Sequence, residues 1–144
     1  MTAETVFSLA SSFAVLGWLV LAAGAITRKP GLVTLAAGRI WPLALSGLYF
    51  LLILFFFAQA PGGFDSLAHV QALFTAPWAA LAGWVHYLAF DLFVGAWITA
   101  EVLRLSLPRF VLVAVLPLTF LFGPIGLVAF FAAKLALHGK EEHS

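Results

Sequence analysis

The stretch WVHYLAFDLFVGAWI, residues 84–98, sets a histidine and an aspartate among aromatic and aliphatic side chains. It lies inside a longer apolar run, residues 77–103, and one helical crossing of a bilayer takes about 20 such residues. Three further runs of this kind, residues 5–26, 41–59 and 109–137, leave no length for a soluble domain. Hydrophobic residues make up 64% of the 144-residue chain and charged residues 9%, where a globular domain carries about 25% charged residues. The chain therefore reads as a single all-α membrane domain over residues 1–144, a polytopic four-helix transmembrane bundle.

The joints between the four runs differ in charge. TRKPGLVTLAAGR, between the first two, carries Arg28, Lys29 and Arg39, and Pro42 just beyond it suits a helix's first turn. RLSLPR, between the last two, is short enough to force an antiparallel hairpin and carries Arg104 and Arg109. The middle joint, APGGFDSLAHVQALFTAP, has no Lys or Arg. Asp65 or Ser66 can cap a short helix there, with Leu67, Val70 and Phe74 on one face, and the expectation is an interfacial helix between helices two and three. A plain surface loop fits the same pattern.

Basic residues favour the cytoplasmic side of a membrane. The first and third joints then face the cytoplasm, with Lys134, Lys140 and both termini outside, in an arrangement expected for a bacterial inner membrane. The opening MTAETVFSLASSF lacks Lys and Arg, so the first run is expected to be a retained helix rather than a signal peptide.

Asp91 falls at the middle of the third run, the most expensive depth for a carboxyl group. On insertion scales it costs about 2.5 to 3.5 kcal/mol, which the surrounding Leu, Phe and Val residues offset at about 0.3 to 0.6 each. Such a residue is read first as functional, with an interhelical hydrogen bond or simple packing as the structural alternatives.

Counting back from the turn near Ser106 puts residues 121–123 opposite Asp91, within LPLTFLFGPIGLVAFF. Pro124 has no N–H to give the Phe120 carbonyl, and Pro117 likewise deprives Val113, so the fourth helix is expected to kink or break at that depth. Irregular backbone inside a membrane survives only against protein or a cavity. Asp91 and the Gly123-Pro124 break are thus expected to be two walls of one pocket. The same count brings Tyr49 to this depth, as a phenol partner for Asp91 or as a core aromatic.

His86 lies five residues before Asp91, about 7.5 Å along the axis and on a different stripe of the helix. Trp84, Tyr87 and Asp91 share one face, while Ser11 and Ser12 reach the level of His86 and offer it a hydroxyl. Glu101 is about 15 Å from Asp91 along the helix, too far to share a metal with it, and is expected to pair with Arg104. No cofactor is expected, although composition leaves a haem on His86 open. The chain has no cysteine and a formal net charge of +1. That excludes disulfides and thiolate metal sites, and no basic run suggests a nucleic-acid partner. The partners expected are the bilayer and a lipophilic small molecule; small residues on the first two helices leave homo-oligomers open.

The segments TVFSLASSF, LFTAPWAALAGWVHYLAFDLFVGAWI and LPLTFLFGPIGLVAFF resemble the ABA4-like family of small integral membrane proteins, whose plant member is required for neoxanthin synthesis. The most specific part is Trp84, His86 and Asp91 in W-h-H-(x)4-D-L-F, followed by F-G-P-h-G with Pro124 and Gly126, h being apolar. The resemblance implies action on a carotenoid or isoprenoid by isomerisation, in which an epoxide opens without net redox change. That chemistry takes a proton donor at the epoxide oxygen and a base at a polyene carbon inside an apolar slot. Asp91 and His86 are the expected catalytic pair, with Tyr49, Trp84, Tyr87, Ser12, Phe120, Gly123 and Pro124 around the substrate. A non-catalytic carotenoid or lipid binder and a small proton or solute transporter are the competing readings.

Overall fold

The computed structural model describes residues 1–138, and every regular element among them is a helix. Helix α1, Ala3–Thr27, starts at Thr2, whose side chain accepts the Thr5 N–H at 3.2 Å. A second rod starts ten residues earlier than hydropathy suggested: Gly31–Ile40 winds as a π-helix and passes directly into α2, Trp41–Phe56. The Trp41 N–H reaches back to the Ala36 carbonyl, so the wider winding lasts up to the residue before Pro42, which has no N–H to donate. A short 3-10 turn, Phe57–Gln59, ends the rod.

Helix α3, Leu67–Leu73, is the expected short helix, and Ser66 is its cap, accepting the His69 N–H at 3.2 Å. Its buried residue is Leu73, while Leu67 and Phe74 are exposed. Asp65 binds His69 at 2.7 Å instead of capping. Helix α4, Pro77–Arg104, is the longest α-helix and packs against α1, the second rod and α5. Three elements, α1, the Gly31–Gln59 rod and α4, are long and apolar enough to cross a membrane.

The fourth expected span does not form. Residues 109–137 fold as two helices, α5 (Phe110–Phe122) and α6 (Pro124–His138), which pack on one another. Gly123 turns the chain with φ 39° and ψ −86°, and α6 runs back antiparallel to α5. Gly126 lies so close to Thr119 that a methyl group in its place would overlap it. Phe130, fully buried, packs with Val111, Leu112 and Val115. Helices of 13 and 15 residues are about 20 and 22 Å long, and neither matches the roughly 30 Å of a bilayer's apolar core. The proline that suggested a kink is the first residue of a returning helix, a position that suits it equally.

This hairpin changes where the last described residues lie. Lys134 Nζ lies 3.2 Å from Glu101 Oε1 and Arg104 Nη2 is 2.7 Å from the same oxygen, so α6 leads toward the Arg104 end of α4. Ala3 packs at the opposite end, near Leu81. Helix α6 therefore runs away from the Ala3 end, against the expectation of two termini on one face, and Lys134 sits with the basic joints rather than across from them; the carboxy terminus itself lies outside the described residues. Lys140 lies outside the described residues. One half of the bundle thus holds α1, α2 and α4, and the other holds α1, the π-helical run, α4, α5 and α6.

The reversal is testable because the chain contains no cysteine. With Ser66→Cys, Ser106→Cys and Ala136→Cys placed singly in sealed vesicles, Ser106→Cys and Ala136→Cys should label from one face and Ser66→Cys from the other. Labelling of Ala136→Cys together with Ser66→Cys would restore a single fourth span.

Candidate functional site

Two polar centres lie on different faces of α4. The first is Asp91, only 7% exposed, in the middle of that helix. Its carboxyl group rests directly on Gly123, where an added Cβ would overlap Asp91 Oδ1. Oδ2 is buried without a hydrogen-bond partner among the described residues. The carboxyl group therefore faces the start of α6, where helix geometry leaves N–H groups unpaired and a positive partial charge. One turn earlier, the Tyr87 hydroxyl donates to the Phe120 carbonyl at 3.0 Å. That is the carbonyl which Pro124 leaves without an intrahelical donor. Trp18 sets an edge against Phe120, with ring centroids 5.4 Å apart. Asp91, Tyr87, Phe120, Gly123 and Pro124 are thus brought to the hairpin tip.

The second centre is His86, about a turn and a half further along α4 toward Pro77. Its ring stacks on Phe90 at 4.7 Å and meets the Tyr49 ring edge-on at 5.4 Å. Both side chains line a cavity of about 280 Å³ between α2, the α3 segment and the first half of α4. Aromatic rings form much of the wall, including Phe56 stacked on Trp78 at 4.3 Å, while Phe74 and Leu73 come from the α3 segment. Tyr49 and His86 are the only ionisable side chains in this wall.

The single pocket expected from depth is therefore corrected. Tyr49 lies at the level of His86, not of Asp91, and Asp91 does not line the cavity. The ten helical residues before Trp41 displace the centre of the second rod toward its start, and Tyr49 with it toward the far end. Ser12 is exposed on α1 and does not reach His86; the hydroxyl that joins α1 to α4 is Ser11, which accepts from Trp84 Nε1 at 3.0 Å. Trp84 stacks on Tyr87 at 5.3 Å, on the Asp91 face. Glu101 pairs with Arg104, as its spacing suggested, and also with Lys134. Among the described residues, no group of three His, Asp or Glu side chains is arranged to hold a metal ion. Phe56 and Trp78 were not singled out by sequence reasoning, and Phe74 only as part of the apolar face of α3, since an aromatic ring in an apolar run carries no mark separating cavity wall from lipid face.

The molecule is thus a small helical protein, apolar enough to cross a membrane three times, with a helical hairpin closed on a buried carboxyl group. Residues 5–130 match the family described as ABA4-like, ABA DEFICIENT 4-like, and the chain belongs to it. No curated protein and no solved structure matches the chain.

The tip makes a graded prediction. Gly123→Ala adds a Cβ both at positive φ and against the Asp91 carboxyl group, and should cost at least about 1–3 kcal/mol from the backbone alone. Tyr87→Phe leaves the half-exposed Phe120 carbonyl short of a donor and takes a hydroxyl from beside Asp91, at about 1 kcal/mol. Thermal unfolding in detergent should rank Gly123→Ala as the more damaging. The reverse order would mean that the tip yields to the added group.

Proposed function

We propose that the protein spans a bacterial inner membrane with α1, the Gly31–Gln59 rod and α4, inserting α5 and α6 from one side as a re-entrant hairpin. The basic residues Arg28, Lys29, Arg104, Arg109 and Lys134 gather at one end of the bundle, which the positive-inside tendency makes cytoplasmic. The amino terminus and α3 then lie outside, α3 at the interface. The Gly123 turn sits at mid-depth, where irregular backbone is tolerated because protein covers it.

We further propose that the protein acts on a long apolar molecule of the carotenoid or isoprenoid type by acid–base isomerisation. The observation that carries this is the aromatic cavity of about 280 Å³ whose only ionisable wall groups are Tyr49 and His86. A volume near the lower end of small-ligand pockets suits one end group of such a molecule, leaving the rest among lipid chains. For an epoxide substrate, His86 removes a proton from a polyene carbon. The electron pair shifts to form the new double bond, the carbon–oxygen bond of the epoxide breaks, and the Tyr49 hydroxyl protonates the oxygen. Returning the proton from His86 to Tyr49 completes an isomerisation with no oxidant or reductant. Asp91, turned to the hairpin tip, holds α5 and α6 against α4. Its separation from the cavity favours a second reading, in which the chain binds the polyene without converting it.

The test uses the purified protein with a mono-epoxide polyene, followed by absorption spectroscopy and product analysis. His86→Ala and Tyr49→Phe should each lower turnover about 100-fold or more, in the range of general acid–base contributions, while ligand binding remains within a few-fold. Asp91→Asn should keep turnover at the parent level. Binding without product in the parent protein would establish the accessory reading. Loss of turnover in Asp91→Asn with ligand still bound would return the carboxyl group to the chemistry.

A further inference from the structure

Arg39 is placed unlike the other Lys and Arg side chains among the described residues. It lies inside the Gly31–Gln59 rod rather than in a joint, on the exposed surface, and makes no ion pair or hydrogen bond among the described residues. Its neighbour Gly38 lies against Ala96, where an added Cβ would come 3.4 Å from the Ala96 methyl. Ala96 is five residues from the mid-helix Asp91, about 7.5 Å along the axis. The Arg39 backbone therefore sits within the apolar thickness of a bilayer, where an unpaired charge is costly and its partner is the first thing to seek. Side chains on a helix lean toward its amino-terminal end, so the guanidinium can reach back toward the Gly31 end and the interface.

Two grooves meet at this residue. One, of about 270 Å³, runs from Arg39 past Leu43 to Phe90; the other, of about 170 Å³, runs from Arg39 past Trp97 to Ala100. Gly38, Arg39 and Phe93 belong to both, with the second groove on the Gly31 and Arg104 side of Phe93 and the first on its Pro77 side, so the two make one apolar track along the helices with Arg39 beside it. A planar guanidinium binds a phosphate through paired hydrogen bonds, and basic positions between spanning helices recognise anionic lipid headgroups. We infer that this track is a binding site for an anionic phospholipid, its phosphate on Arg39 at the Gly31 side and an acyl chain running past Phe93 toward Phe90. The inference rests on the proposal that the rod spans a bilayer, and on no part of the proposed reaction.

The experiment is native mass spectrometry of the full chain in detergent, titrated with phosphatidylglycerol or with phosphatidylcholine of identical acyl chains. The parent protein should retain phosphatidylglycerol in about tenfold excess, the scale of one charge-assisted hydrogen-bonded contact. Arg39→Gln should reduce that excess to parity, whereas Arg28→Gln, at the end of α1, should leave it unchanged. Arg39→Lys should keep part of the preference and guards against a folding defect in the neutral variant. Phe93→Ala should weaken both lipids while the preference persists. Equal retention of the two lipids by the parent, or a preference that survives Arg39→Gln, would overturn the site. Displacement of the lipid by inorganic phosphate alone would also overturn it, by making Arg39 a soluble-anion site. Loss of turnover in His86→Ala bears on the reaction alone, so the two proposals fail separately.

Discussion

At the middle of α4 a carboxyl group meets the glycine at which the opposing hairpin turns. Asp91 lies on Gly123, and the space a Cβ would occupy is filled by carboxyl oxygen. A glycine is required there twice, once for the positive φ that reverses the chain and once for the approach of Asp91. Around that contact the remaining bonds follow. Tyr87 serves the carbonyl that Pro124 cannot, and Trp18 closes over Phe120. Gly126 then lets α6 lie flat on α5. The buried Oδ2 of Asp91 carries an unpaired desolvation cost of about 1–3 kcal/mol. The partial positive charge at the start of α6 offsets part of it.

Much of this was legible in the sequence, and the errors have physical causes. The position of Asp91 at mid-helix, its proximity to Gly123 and the orphaned Phe120 carbonyl all follow from counting along a hairpin and from proline's missing donor. The reversal at Gly123 did not follow, because an apolar run of 29 residues satisfies the length of a single span as well as that of two half-spans. A proline after a glycine fits both a kink and a first helical turn. The cap at Ser66 was readable from its side-chain type, whereas the burial of Leu73 in place of Leu67 depended on how α3 lies against the rest.

The misplacement of Tyr49 has a different origin. Hydropathy gives the second rod a start at Trp41, but the π-helical run before it carries Arg39 and two glycines, which lower its apolar score without preventing helix formation. A rod that starts ten residues early has its centre near Leu45, and Tyr49 moves outward to meet His86. The two polar groups of α4 consequently serve different neighbours: His86 faces the second rod and Asp91 faces the hairpin. A shared depth is weaker evidence for a shared site than a shared face, since α4 turns through about 140° between them.

The hairpin also decides the outline of the molecule. Because α5 and α6 meet at the level of Asp91, the Arg104 end holds α1, the π-helical run, α4, α5 and α6, while the Pro77 end holds α1, α2, α4 and only the seven-residue α3. The protein is consequently a wedge. Set in a bilayer, it claims more area in one leaflet than in the other, and lipids above the hairpin tip must fill the missing sector with their chains. In the membrane arrangement proposed above, such a shape would be relieved where the bilayer bends toward the narrow end, and curvature would then bear on the fold through the Gly123 turn.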